Sequence, residues 1–146
     1  KAPYVCKNVI RDKCRAFSDV EKAWIACAID TDGCVSVKHS TYVRSDGTRR
    51  YDGWQYRVMF LNTSVPFLQR AADLVGETIK ESKNDLIRKS RYGKKPMFRV
   101  VVCRSLKVHS LLTQVLPYLI IKVDRAKEAI TEIETRYAHI LKDGCA

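Results

Sequence analysis

Apolar positions change their period several times along this chain, and each change marks an element. Val20, Ala23, Trp24, Cys27 and Ala28 recur at helical spacing, and Ile25, Ala26 and Ile29 cover an adjacent face. A helix ending near Asp32 is therefore apolar nearly all round. Ser18 and Glu21 have the spacing of a capping box at its start, and Gly33 is expected to close it as a left-handed residue. At Gly33 the period drops to two: Val35 and Val37 alternate with Ser36 and Lys38, which predicts a strand running to Arg44. Ser45-Asp46-Gly47 supplies a turn. A second strand over 54–62 puts Tyr56, Val58 and Phe60 on one side and Gln55, Arg57 and Met59 on the other. The next helix starts at Thr63 or Ser64, carries Pro66 in its tolerant first turn, and stops at Gly76.

The pattern then repeats. Segments 86–91 and 97–103 bracket a Tyr92-Gly93-Lys94-Lys95 turn and predict a second hairpin. Ser105 is expected to cap a helix carrying Leu111, Leu112, Val115 and Leu116, interrupted by Pro117. From Lys122 onward Ala126, Ile130, Ile133, Tyr137, Ile140 and Leu141 return to helical spacing. This order predicts an α+β fold, an antiparallel sheet covered by helices on one face. Residues 1–17 are expected to be an N-terminal extension and 18–146 a single domain, a size that 146 residues support.

Two carboxylates, Asp30 and Asp32, fall at the carbonyl end of the first helix, where about half a negative charge already resides. A group from outside the chain, most simply a divalent cation, is expected to offset that repulsion. The apolar circumference of the same helix predicts burial between two protein layers, one its own sheet and the other either a second copy of the chain or, in a monomer with a central core helix, more of the same core. Net charge sharpens the picture, since 27 Lys and Arg against 16 Asp and Glu leave +11. Such an imbalance repels itself and favours a polyanionic partner. Ser36, Lys38, Ser40, Tyr42, Arg44, Gln55, Arg57, Met59, Arg88, Ser90 and Arg99 all fall on the sheet face turned away from the helices. Arg and Lys suit guanine edges and Gln suits adenine, so this face reads as a surface for double-stranded DNA. A nine-residue strand covers roughly 30 Å, or about nine base pairs.

The six cysteines, Cys6, Cys14, Cys27, Cys34, Cys103 and Cys145, contain no CxxC pair. Zinc is not expected. Cys27 and Cys34 are expected in the core, and the setting is expected to be reducing and intracellular, whether an archaeal or bacterial cytoplasm or an organelle. A disulfide between Cys6 and Cys14 stays open for a hyperthermophilic source. No membrane span is expected. His39 and His109 read as surface or packing residues.

Residues 25–33, Ile-Ala-Cys-Ala-Ile-Asp-Thr-Asp-Gly, resemble the signature of the LAGLIDADG homing endonucleases, with Cys27 and Ala28 departing from its usual third and fourth positions. Phe60-Leu61-Asn62-Thr63 followed by Phe67-Leu68 is similar to the segment joining the family's second strand and second helix. Leu116-Pro117-Tyr118-Leu119-Ile120-Ile121-Lys122 resembles a later block that ends in an active-site lysine. The resemblance implies an αββαββα fold with a four-stranded antiparallel DNA-binding saddle and an extra C-terminal helix. It implies an intron-encoded, site-specific endonuclease. A single signature implies a homodimer joined through Trp24, Ile25, Ala26, Cys27, Ile29 and Asp30 on paired helices, acting on a long pseudo-palindromic target.

The same resemblance assigns catalysis to Asp32, Asn62 and Lys122, and the metal to Asp32, the Thr31 carbonyl and Asn62. The chemistry implied is Mg²⁺-assisted phosphodiester hydrolysis leaving staggered ends. Asp30 reads equally as a structural cap. Two alternatives stay open: an intron RNA maturase that assists splicing, and a DNA-binding regulator without cleavage. Retention of Asp32 and Lys122 argues against the regulator, because pure binding favours removing an acid that faces phosphate.

Overall fold

The computed structural model describes residues 13–48, 50–82 and 96–142. Helix α1 (Asp19–Asp32) leads directly into strand β1 (Gly33–Val43), which turns back into β2 (Arg50–Asn62). Helix α2 (Val65–Val75) follows, then the short β3 (Lys80–Glu81) and β4 (Phe98–Val102). Helix α3 (Ser105–Val115), a 3₁₀ turn (Leu116–Tyr118), α4 (Val123–Arg136) and α5 (Ala138–Lys142) complete the chain. The four strands form one antiparallel sheet in the order β1-β2-β4-β3. The predicted strand arm at 86–91, its turn, Arg88, Ser90, Cys6 and Cys145 lie outside the described residues. No helix among the described residues is long and apolar enough to cross a membrane.

Register explains the layering. Val35, Val58 and Val102 sit opposite one another, as do Phe60 and Val100, and all of them are buried. Against this row pack Ile25, Ala26, Ala28 and Ile29 of α1, Leu68, Ala71, Ala72 and Val75 of α2, Val108, Leu111, Leu112 and Val115 of α3, and Ala126, Ala129 and Ile133 of α4. One sheet face is thus sealed by four helices, and alternation along each strand commits the intervening side chains to the other face.

The predicted capping box is formed. Glu21 N–H donates to Ser18 Oγ at 3.2 Å and Ser18 N–H donates to the Glu21 carboxylate at 3.0 Å. Arg15 also grips Glu21, at 2.9 and 3.1 Å. The Arg15 bond and then the Ser18 bond hold the Glu21 carboxyl well below its ordinary value, at about 2. Ser64 caps α2, and Gly76 ends it in the left-handed region at φ +70°, where only glycine is unstrained. Ser105 is not a cap. It is the first residue of α3, and its hydroxyl donates to Tyr137 at 3.3 Å. Residues 14–17, expected outside the domain, are bound to α3: Cys14 N–H donates to Ser110 and Phe17 N–H to Gln114, and Phe17 enters the core.

Gly33 overturns its expected role while keeping its importance. Its backbone is extended, at φ −100° and ψ 174°, so it needs no left-handed freedom. A Cβ at this position would sit 2.6 Å from Ile29 Cα and 2.9 Å from Ile29 O. The residue is small because β1 leaves α1 by folding back against the helix's own last turn. Gly33→Ala is expected to destabilise the fold by about 1–3 kcal/mol, the range for forcing extra volume into a filled space. Urea unfolding checks this, and an unchanged midpoint would contradict it.

Candidate active site and nucleic-acid interface

Asp30 and Asp32 stand two residues apart on α1, so about 200° of rotation separates them. They meet different surroundings. The Asp30 carboxylate accepts three consecutive backbone N–H bonds from the turn leading into α4: Ile120 at 2.8 Å, Ile121 at 3.2 Å and Lys122 at 3.0 Å. Converging amides of this kind form an anion nest. Desolvation pushes the Asp30 pKa up, but the three N–H bonds and the Lys122 charge outweigh it and hold the group below its ordinary 3.8.

Lys122 returns the interaction. Its ammonium donates to the carbonyls of Ile29 at 2.5 Å, Asp30 at 3.2 Å and Gly33, near the carbonyl end of α1. Lysine has three donors, and each has a backbone acceptor here. The negative helix terminus is therefore offset from within the chain at Asp30, which corrects the expectation that an outside cation must answer both acids.

Asp32 is exposed, and its Oδ2 accepts a 3.1 Å bond from Asn62 Nδ2. Asn62 is itself fixed, because its Oδ1 accepts from Ser64 N–H at 2.8 Å. The end of β2 and the start of α2 thus aim an amide at the acid that ends α1. Thr31 folds its hydroxyl back to Cys27 O at 2.8 Å, while its carbonyl is one of the four at the helix end without an intrahelical partner. Among the described residues no group of three or more His, Cys, Asp or Glu side chains could hold a metal ion. One exposed carboxylate with a neighbouring carbonyl is a partial set of hard oxygen donors, and the Asn62 amide, expected as a ligand, meets the carboxylate with its NH₂ group while its oxygen is turned to Ser64. Such a partial set suits a cation that keeps waters and takes further ligands from phosphate, as Mg²⁺ does.

On the sheet face away from the helices, Ser36 stands opposite Arg57, Lys38 opposite Gln55, and Leu61 opposite Arg99, which is opposite Lys80. Gln55, Arg57, Lys80 and Arg99 line an open concavity of about 430 Å³ with Glu77, Thr78, Val101 and Cys103. Glu77 is already neutralised by Lys107 at 2.7 Å. The concavity therefore presents cations.

No protein-family model matches the sequence, and no curated protein matches it either. Solved structures do. The chain is similar to the homing endonuclease I-CvuI in complex with the I-CreI target, with magnesium present and the DNA not cleaved. The TM-score is 0.58 at 20% identity, and the match covers 79% of this chain and 66% of that one. I-CvuI with its own target and calcium matches equally well, at TM-score 0.58 and 19% identity. The archaeal intron-encoded homing endonuclease I-Vdi141I, complexed with DNA, gives a TM-score of 0.53 at 16% identity over 86% of this chain and 71% of that one. The fold is that of these homing endonucleases. The chain spans just under two thirds of the length of I-CvuI.

Within this homing-endonuclease fold the structure sorts the expected site residues. Asp32 and Asn62 come together, and Ser36, Lys38, Gln55, Arg57, Met59 and Arg99 share one face. Ser40 and exposed Tyr42 continue it outward, and Arg44 lies in the turn, where its carbonyl accepts from Gly47 N–H. His39 lies on the helix side, stacked on Trp54 at 4.7 Å, and His109 contacts Glu134 on α4. The expected helix-pairing residues need correction. Ile25, Ala26 and Ile29 are 0% exposed within one chain and have no surface for a partner. Trp24 packs beside Phe67, and Asp30 is committed to the α4 turn. Cys27, expected in the core, is exposed, and Cys34 is half-buried; both are free thiols, as are Cys14 and Cys103.

The outward face of α1 is Val20, Ala23, Cys27 and Thr31. Ala23, Cys27, Asp30, Thr31, Tyr118, Ile120 and Ile121 line a concavity of about 330 Å³. Ile120 is 85% and Ile121 71% exposed. These two isoleucines were not among the expected interface residues, although an aliphatic pair just after Pro117, outside any periodic run, is a legible signal. Lys80 was missed because a two-residue strand carries no period.

Asp30→Ala is expected to cost roughly 1–3 kcal/mol, since three amides lose a charged acceptor. Because the folded pKa is depressed, this contribution is fully present above the ordinary 3.8 and is lost as pH falls through the lower folded value. Parent and variant stability curves measured by urea unfolding should converge on acidification. A gap that persists at low pH would contradict the assignment.

Proposed function

We propose that this chain is a site-specific double-strand DNA endonuclease acting as a homodimer, each subunit hydrolysing one strand of a long pseudo-palindromic target with magnesium. The observation that carries this reading is the Asp32–Asn62 pair at the inner end of a cationic sheet face. That pair stands where α1 ends and β2 returns, so backbone held by the sheet is delivered to the carboxylate.

Asp32, with the Thr31 carbonyl, would hold the cation, which supplies Lewis acidity to the scissile phosphate and its attacking and leaving oxygens. Asn62, anchored through Ser64, orients the carboxylate by donating to its Oδ2. Lys122 enters as a positioning residue: its ammonium fixes the end of α1 through three carbonyls, in place of the catalytic role the resemblance implies. Arg57, Gln55, Lys38 and Arg99 take base edges and phosphates along the groove.

Among the described residues one chain offers one such carboxylate, and two strands require two. The surface of Val20, Ala23, Cys27, Tyr118, Ile120 and Ile121 supports a second copy, because it is apolar, partly concave and adjacent to Asp32 along α1. Small Ala23 and Cys27 allow close helix approach. An intron-encoded source fits the reading. An RNA maturase activity has no specific observation in its favour.

Asp32→Asn is expected to abolish cleavage while leaving DNA binding equal or tighter, because a charge that repels phosphate is removed. Plasmid cleavage with magnesium and a parallel gel-shift titration check both halves. Magnesium-dependent cutting at the parent rate would contradict the assignment.

A further inference from the structure

The outward face of the sheet is not uniformly polar. Register places Cys34 opposite Met59 and Met59 opposite Val101. All three are half-buried, so they form a continuous apolar row three strands wide. With strands about 4.8 Å apart the row is roughly 10 Å across, narrow enough for a major groove of about 12 Å. Cations border it on both sides. Toward Asp32 lie Arg99 and Lys80 beside Leu61, and on the far side lies Arg57 beside Ser36. Arg99 is half-buried beside the row. Val101, Arg57 and Arg99 share the same concavity.

An apolar row inside a cationic, solvated face exposes surface that Thr would make polar at no loss of strand propensity. It matches one feature of duplex DNA. The 5-methyl group of thymine is the apolar element on the floor of the major groove, flanked by acceptor-bearing edges that suit arginine. RNA offers a poorer fit, because its A-form major groove is too narrow for side chains to read.

Building on the nuclease reading above, we propose that Cys34, Met59 and Val101 form a thymine-methyl subsite in each half-site, with Arg57 and Arg99 taking acceptor edges on either side of it. Two residues along a strand advance about 6.8 Å, so the thymine lies one or two base pairs from each of those edges.

The test uses duplexes selected for binding from a randomised library by the full chain. Each thymine of a selected duplex is replaced singly by deoxyuridine, which removes the methyl and nothing else. One thymine per half-site is expected to respond, with binding about fourfold weaker, the value of one buried methyl. Met59→Ala is expected to erase the difference between thymine and deoxyuridine at that position alone, and Met59→Leu, which keeps an apolar body, to preserve it. Met59 lies on the outer face, so neither change opens the core. Selected half-sites without thymine there, tolerance of deoxyuridine at every position, or additive losses in the Met59→Ala and deoxyuridine cycle would overturn the subsite and leave the nuclease reading standing. Failure of every duplex to bind would overturn both.

Discussion

The reciprocal clamp between Asp30 and Lys122 is the constraint on which the rest of this molecule depends. An acid on the last turn of a helix is unfavourable unless something opposes it, and here the opposing groups are three amides of the α4 turn and an ammonium at its end. The same four residues, Asp30, Ile120, Ile121 and Lys122, join the N-terminal and C-terminal halves of the chain, ninety or more positions apart in sequence. With the Asp30 carboxylate and the Ile29 and Asp30 carbonyls satisfied internally, Asp32 is left as the acid that faces outward. The clamp also presents Ile120 and Ile121, because the turn that offers its amides to Asp30 points those side chains to solvent.

Around that joint the site is assembled from strand and helix ends. Gly33 lets β1 fold back at once from α1, and β2 returns to place Asn62 beside Asp32. The proposed recognition surface and the Asp32–Asn62 pair are therefore parts of one sheet, and spacing between them is set by strand rise. On the proposed function the cationic face would supply affinity for polyanions, and this part of binding should be salt-dependent.

Much of this architecture was legible in the chain. Period changes at Gly33, at the Ser45-Asp46-Gly47 turn and at Ser64 marked real boundaries, because caps and turns act through nearby backbone. The alternation over β2 assigned Arg57 and Met59 to the outer face correctly. What local pattern could not decide was which side of α1 meets its own sheet: with residues apolar nearly all round, Ile25, Ala26 and Ile29 looked as available to a partner as Ala23 and Cys27. Nor could it separate Asp30 from Asp32, since their roles depend on a turn ninety residues away. Gly33 was right in identity and wrong in reason, close backbone approach having the same sequence signature as a left-handed turn.

The central claim is that each chain carries half of a cleavage centre and that Asp32 is the half that matters. Heterodimers assembled from parent and Asp32→Asn subunits, incubated with a supercoiled plasmid bearing the selected target and magnesium, test it most directly. The account expects these mixed dimers to nick one strand and accumulate open circles, with little linear product. Linear DNA produced at the parent rate by mixed dimers would contradict it.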